Sequence, residues 1–291
     1  MLLAKTMSAP VRKLPDFIAV GPQRTGTTWL DWVLRGHVSL PENIKETNFF
    51  TANFSKGLGW YEDHFRNSVA GRPIGEVCPS YFISAQARGR IADSIPGCAI
   101  ICSLRDPVLR LYSHYRFLRA CGRLGVVSLE EVITAHDKTS CVDDIFATST
   151  YSKILKAWYD KFGKENVLAL VNDDLVSDPQ RYVDQVCRFV GISPIDLSRS
   201  PLRHTRVNTQ LRAPRSVWLA RGAREVRNFM WRHRQLSPLA SRLRPLWKFC
   251  FGGGEEFGPI DPAVEASLRE YFRPDVEALE EMLHRDLSAW R

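Results

Sequence analysis

Seven cysteines are scattered through the 291 residues, and no two are spaced as C-x-x-C. That absence excludes a zinc finger or ribbon, and the odd, scattered set argues for reduced, mostly buried thiols rather than a disulfide framework. Apolar runs of membrane length are also missing, so no membrane span is expected. The opening Met1-Leu2-Leu3-Ala4-Lys5 reaches Arg12 and Lys13 without a continuous apolar core, which is not the pattern of a signal peptide. The expectation is a cytoplasmic protein whose residues 1–14 are flexible. Acids, finally, are nearly absent from one long segment. Between Arg199 and Lys248 thirteen Lys or Arg stand against Glu225 alone. The segment therefore carries +12 in a chain whose net charge is +8, leaving −4 elsewhere. So local an excess implies a basic surface serving an acidic partner rather than a generally basic protein. With no repeat, low-complexity tract or dividing linker, residues 1–291 are expected to form a single domain with one large α/β core.

What is present is most concentrated near the start. Phe17-Ile18-Ala19-Val20 reads as a short buried strand that breaks into Gly21-Pro22-Gln23-Arg24-Thr25-Gly26-Thr27-Thr28 and enters a helix at Trp29-Leu30. Strand, glycine-rich loop and helix start in that order hold a phosphate: unpaired N–H groups at the helix start face the anion, and glycines let the backbone come close. The spacing of Gly21 and Gly26 matches the start of a nucleotide-binding P-loop, but the lysine expected after the second glycine is Thr27. The basic residue lies inside the loop instead, at Arg24, which suits a grip on one terminal phosphate.

Along the rest of the chain the pattern predicts helices at Thr27–Leu34, Gly57–Phe65, Ser84–Ser94, Ser128–His136, Thr150–Phe162 and Pro179–Val190, and from Ala263 towards Leu283. Strands are expected at Pro73–Val77, Cys98–Leu104 and Asn166–Val171. Cys98–Leu104 runs directly into Arg105-Asp106-Pro107, where Asp106 can cap a helix with proline at its first position. That helix carries Arg110, Tyr112, Ser113 and His114. Strands alternating with helices predict a mainly parallel sheet covered on both faces. Arg105, just before the helix, and Ser113, two turns on, could reach a second phosphate, although Arg105 could equally pair with Asp106.

These segments together resemble a known family. Pro22–Thr28 resembles the 5′-phosphosulfate loop, and Ser103–Pro107 with Arg110, Tyr112 and Ser113 the 3′-phosphate motif, of sulfotransferases that use 3′-phosphoadenosine 5′-phosphosulfate (PAPS). Lys45-Glu46-Thr47-Asn48-Phe49-Phe50, Gly57-Leu58-Gly59-Trp60-Tyr61 and Glu76-Val77-Cys78-Pro79-Ser80-Tyr81-Phe82 are similar, in order and spacing, to segments of the heparan sulfate sulfotransferases. The likeness covers most of residues 15–290.

The resemblance implies a three-layer α/β, P-loop-like fold and transfer of a sulfuryl group from PAPS to a hydroxyl or amine, releasing 3′,5′-ADP, with no metal. It implies Glu46 as catalytic base, Lys45 near the sulfuryl group, and Arg24 on the 5′-phosphosulfate. Thr25, Gly26, Thr27, Thr28, Trp29, Arg105 and Ser113 would complete the cofactor site, with Arg206 and Asn208 from a segment resembling other bacterial-type sulfotransferases. His114 is an alternative base. The acceptor would be a carbohydrate or small molecule rather than nucleic acid. Two departures count against a glycosaminoglycan: Val77 stands where the relatives commonly carry lysine, and Gly252–Gly254 is followed by Glu255 and Glu256 rather than by basic residues.

Two other readings compete. A P-loop kinase would use the apolar strand ending at Asn172-Asp173 to hold magnesium. A module binding nucleic acid or another anionic surface would use the basic segment, where arginines interleave with Trp218, Phe229 and Trp231; the favoured alternative makes residues 199–258 a helical insertion forming part of a substrate lid.

Overall fold

Strand β1 (Phe17–Ala19) is buried on both faces: Ile18 and the following Val20 turn into one core, Phe17 and Ala19 into the other. The computed structural model describes residues 12–134, 145–205, 212–232 and 253–291, with residues 242, 243, 245, 246 and 249 between the last two. In it β1 pairs in parallel with β2 (Gly75–Val77) on one side and β3 (Ala99–Leu104) on the other, and β3 pairs in parallel with β4 (Val167–Val171). The order is β2-β1-β3-β4. Phe17 lies opposite Gly75, where an added Cβ would stand 2.2 Å from the Phe17 ring, so glycine there makes room for an aromatic of the core.

The helices are α1 (Thr27–Leu34), α2 (Gly57–Glu62), α3 (Ala85–Ser94), α4 (Pro107–Ala120), α5 (Leu129–Thr134), α6 (Ser152–Phe162), α7 (Asn172–Ser177), α8 (Pro179–Val190), α9 (Val217–Arg232) and α10 (Pro262–Leu283). A small antiparallel pair, β5 (Arg212–Pro214) and β6 (Gly253–Glu256), brackets α9 in the chain. On one face of the sheet Trp29, Leu30 and Val33 of α1 pack with Tyr182, Val183 and Val186 of α8; on the other, α3, α6 and α10 contribute Ile91, Leu155, Trp158, Phe272 and Val276. This is the expected central parallel sheet between two helical layers.

The helix starts follow their caps. Asp106 accepts hydrogen bonds from the N–H groups of Val108 (2.8 Å) and Leu109 (3.0 Å), with Pro107 in first place, and Ser84, Asp178 and Asp261 cap α3, α8 and α10 in the same way. Two local features were not anticipated: α7 continues directly from β4, and Phe49–Asn53 forms a π-turn after Asn48, whose φ is +50°. The C-terminal part of the helix expected over 128–136, much of the basic segment and most of residues 1–14 lie outside the described residues.

Because all four strands are parallel, their C-terminal ends share one edge of the sheet. The chain leaves β1 for neighbours on both sides, and that edge is where such a sheet opens a crevice.

Candidate active site

The loop after β1 is built tightly against β3. A Cβ on Gly21 would fall 2.2 Å from Ser103 Oγ and 2.5 Å from its backbone N, so only glycine lets the chain pass. Each following carbonyl is met by a protein donor. Thr25 Oγ1 donates to Pro22 O (2.7 Å), Arg110 Nη1 to Gln23 O (3.3 Å), Arg105 Nη1 to Arg24 O (3.2 Å), and Asn172 Nδ2 to Thr25 O (3.3 Å). With its oxygens held from the protein side, the loop turns toward the crevice with its amide edge. Arg24 (φ +76°) and Gly26 (φ +97°) are left-handed, a conformation that non-glycine residues adopt at a cost of roughly 1–3 kcal/mol and that gathers N–H groups into an anion-binding concavity. Helix α1 starts on Gly26 with no side-chain cap and no acid in its first turn, so its first N–H groups and its positive dipole end remain for a ligand.

Cations surround this loop. Arg24 Nε donates to Ser113 Oγ (2.9 Å), and its guanidinium lies 5.6 Å above the Phe117 ring. Burial, together with repulsion from Arg105 and Arg116, pushes Arg24 down to about 10, still far above neutrality, so it stays charged. Burial also lowers Arg105. Among the described residues Arg105 makes no carboxylate ion pair, and Asp106 pairs instead with Arg269 at 3.3 Å. Arg110 is fully buried beneath the loop. It donates to Ser149 Oγ (2.8 Å), Ile145 O (2.6 Å) and Gln23 O, and burial and its fellow arginines push it down to about 10. Arg105 and Arg110, whose acceptors among the described residues are neutral, place positive charge beside the loop that an anion would complete.

The Lys45–Glu46 pair reaches the same place. Lys45 Nζ donates to Glu46 Oε1 (3.0 Å) and to Thr28 Oγ1 (3.2 Å), joining the carboxylate to the phosphate loop by a continuous hydrogen-bonded chain. What holds this pair is a residue that sequence reasoning passed over. Glu76, wholly buried in β2, accepts from Thr47 N (3.0 Å), Thr47 Oγ1 (2.5 Å) and Tyr61 OH (2.6 Å), with Tyr81 OH at 3.3 Å. Thr47 directly follows Glu46, so the buried carboxylate fixes the backbone that presents the pair. Tyr61 belongs to this core, while Trp60 is partly buried against it.

Burial pushes the Glu76 carboxyl above its ordinary 4.5 even against these donors. Its folded value is raised, so its contribution to stability is complete below pH 4.5 and declines as pH rises through the raised value. Glu76→Gln is expected to abolish that decline, whereas Glu76→Ala, which strands the Thr47 N–H and the Tyr61 hydroxyl, is expected to cost about 3 kcal/mol near neutrality. Urea unfolding of both variants across pH checks this.

Other expected site residues are placed differently from one another. The Thr25 hydroxyl is buried between Pro22 O and Ser103 Oγ (2.7 Å), so only its backbone faces the crevice. The Trp29 indole donates to Leu202 O (2.9 Å) and packs edge-on to Tyr182, anchoring α1 in the core. Arg206 and Asn208 lie outside the described residues. His114 Nδ1 sits 3.2 Å from Arg110, and burial and that cation push its imidazole down to about 2, which makes it a poor proton acceptor near neutrality. Val77 is buried in the sheet, and Glu256 pairs with Arg212 across β5–β6. The acids on which a kinase would rely are taken: Asp173 Oδ2 accepts from Trp290 Nε1 (2.6 Å), and Asp174 is paired with Arg285 (2.5 Å).

Residues 14–235 match the family model of the sulfotransferase domain. A curated mouse protein, the bifunctional heparan sulfate N-deacetylase/N-sulfotransferase 4, is 31% identical over 197 residues, which is 62% of this chain and 23% of that protein. Mouse heparan sulfate glucosamine 3-O-sulfotransferase 3A1 is 29% identical over 196 residues, 66% of this chain and 50% of its own length. The chain thus spans between about a quarter and a half of these curated relatives. Among solved structures, a sulfotransferase from Alicyclobacillus acidocaldarius superposes with a TM-score of 0.66 at 22% identity, covering 96% of this chain and 99% of that one, which shows the shared fold.

Proposed function

The chain belongs to the sulfotransferase domain family, and from that premise we propose that it transfers a sulfuryl group from PAPS to a hydroxyl or amine of a carbohydrate or small-molecule acceptor. The observation that carries this reading is the chain Glu46–Lys45–Thr28, which sets a carboxylate and a lysine on the rim of an arginine-lined phosphate loop. The donor set fits the cofactor: an uncapped helix start, Arg105 with no carboxylate ion pair among the described residues, the Arg24 guanidinium and the Ser113 hydroxyl.

The amide edge of Arg24–Thr28 would hold the 5′ end, and Arg105 with Ser113 the 3′-phosphate. When bound, PAPS supplies a sulfuryl group activated by its phosphate leaving group. Glu46 takes the acceptor's proton as its oxygen or nitrogen bonds to sulfur. Lys45 and Arg24 carry the negative charge that collects on the departing phosphate, and so favour the transition state over the ground state. The two mouse relatives are named for heparan sulfate; the acidic β6 of this chain instead favours an acceptor less charged than a glycosaminoglycan.

Calorimetric titration tests the reading. 3′,5′-ADP is expected to bind far more tightly than 5′-AMP or Mg-ATP, and Arg105→Ala to raise its Kd about 10- to 100-fold, the worth of one charge-assisted phosphate contact. Preference for Mg-ATP overturns the assignment.

A further inference from the structure

Helix α9 wears its apolar face outward. Ala220 is buried, and the helix is seated on the turn that follows α4: Ala220 Cβ and the Val217 carbonyl close over Gly122, whose carbonyl accepts from Arg221 Nε at 3.1 Å. On the opposite side Trp218 is 80% exposed, Val226 54% and Leu219 42%, with Phe229 on the same stripe. At 3.6 residues per turn these positions fall within an arc of about 100°, the width of an apolar face that ordinarily packs inward. A cation flanks it: the Arg221 guanidinium lies 5.5 Å above the Trp218 ring, and Arg215 precedes the helix, whereas Arg224 lies on the opposite side and pairs with Glu225. Two more large apolar residues of the basic segment, Leu246 and Phe249, are also exposed, the latter beneath Arg215 at 4.7 Å.

We propose that α9 is an in-plane membrane helix that docks the protein on an anionic bilayer surface. Charge decides the occupant. The segment from Arg199 to Lys248 carries thirteen Lys or Arg and one acid, so a second copy of this chain would bring like charge against like. Nucleic acid would satisfy the arginines and could stack on Trp218, but it leaves Leu219 and Val226 in water. An anionic lipid surface meets both needs at once, with phosphate headgroups on the arginines and acyl chains under the apolar stripe. Sixteen residues reach about 24 Å, short of a hydrocarbon core, and no helix among the described residues is long and apolar enough to cross a membrane. The helix therefore lies on the surface. Trp218, with its amphipathic ring, suits the headgroup level.

Co-sedimentation of the full chain with vesicles tests this. Binding is expected to vesicles of phosphatidylcholine mixed with phosphatidylserine and to be at least tenfold weaker to phosphatidylcholine alone. Trp218→Ser/Val226→Ser, two exposed positions whose change leaves the far-UV circular dichroism and 3′,5′-ADP affinity intact, is expected to weaken binding to the anionic vesicles about tenfold or more. Failure to bind anionic vesicles at low salt overturns the proposal. So does binding that the double variant leaves unchanged, since it would then be electrostatic attachment of a polyanion site, or a self-association that the double variant dissolves in sedimentation equilibrium without vesicles.

Discussion

Glu46→Gln is expected to lower kcat by about 10²- to 10⁴-fold, the usual worth of a positioned general base, while 3′,5′-ADP binds as tightly as before. The geometry makes this a clean substitution. The Glu46 side chain is 34% exposed, so its loss of charge leaves no buried group unpaired, and a glutamine oxygen can still accept from Lys45 Nζ in place of Oε1. The backbone is held by Thr47 through Glu76, which the substitution does not touch. What changes is the ability to take a proton. Single-turnover transfer to a reactive acceptor, measured beside calorimetry with 3′,5′-ADP, separates the two. An unchanged rate would remove Glu46 from the chemistry and leave it as the partner that orients Lys45; lost nucleotide binding would show it to be part of the loop's structure instead.

How far these groups could be foreseen depended on how local their rules are. The glycine-rich loop after β1, the Asp106-Pro107 start of α4 and the buried strands obey spacing and capping rules that operate within a few residues, and the structure has them within a residue or two of the expected positions. Lys45 and Glu46 carry no such local signal; the resemblance alone pointed to them, and contact with Thr28 comes from folding a segment 17 residues away. Glu76 was invisible for a physical reason. Its four donors come from Thr47, Tyr61 and Tyr81, which no periodicity connects, and a glutamate inside a three-residue strand reads as an edge position until its burial is known. Arg110, which the resemblance groups with the 3′-phosphate motif, lies buried beneath the loop, bonded to Gln23 O, Ser149 Oγ and Ile145 O. Thr25 is expected to help complete the cofactor site, but its hydroxyl is claimed by Ser103, 78 residues on.

Arg24 offers the second large effect. The resemblance assigns it to the 5′-phosphosulfate, yet its Nε is bonded to Ser113, which the resemblance assigns to the 3′-phosphate motif 89 positions away, so a single guanidinium would stand between the two proposed phosphate positions. Its backbone is also strained into the left-handed region, and repulsion from Arg105 and Arg116 adds to the cost of burying it. A charge kept at such expense is worth most where negative charge grows during the reaction, in a site poor in water. Arg24→Ala is therefore expected to lower kcat/KM about 10²- to 10³-fold and to weaken 3′,5′-ADP as well, since Ser113 loses its partner. Arg24→Lys separates charge from geometry. The ammonium restores the cation but has neither the fork nor the Nε that meets Ser113, so it should recover much of the rate and less of the nucleotide affinity. Steady-state kinetics with calorimetry on both variants checks the split. If alanine weakens only affinity and leaves kcat intact, Arg24 serves ground-state binding alone, and the charge on the departing phosphate must be carried by Lys45.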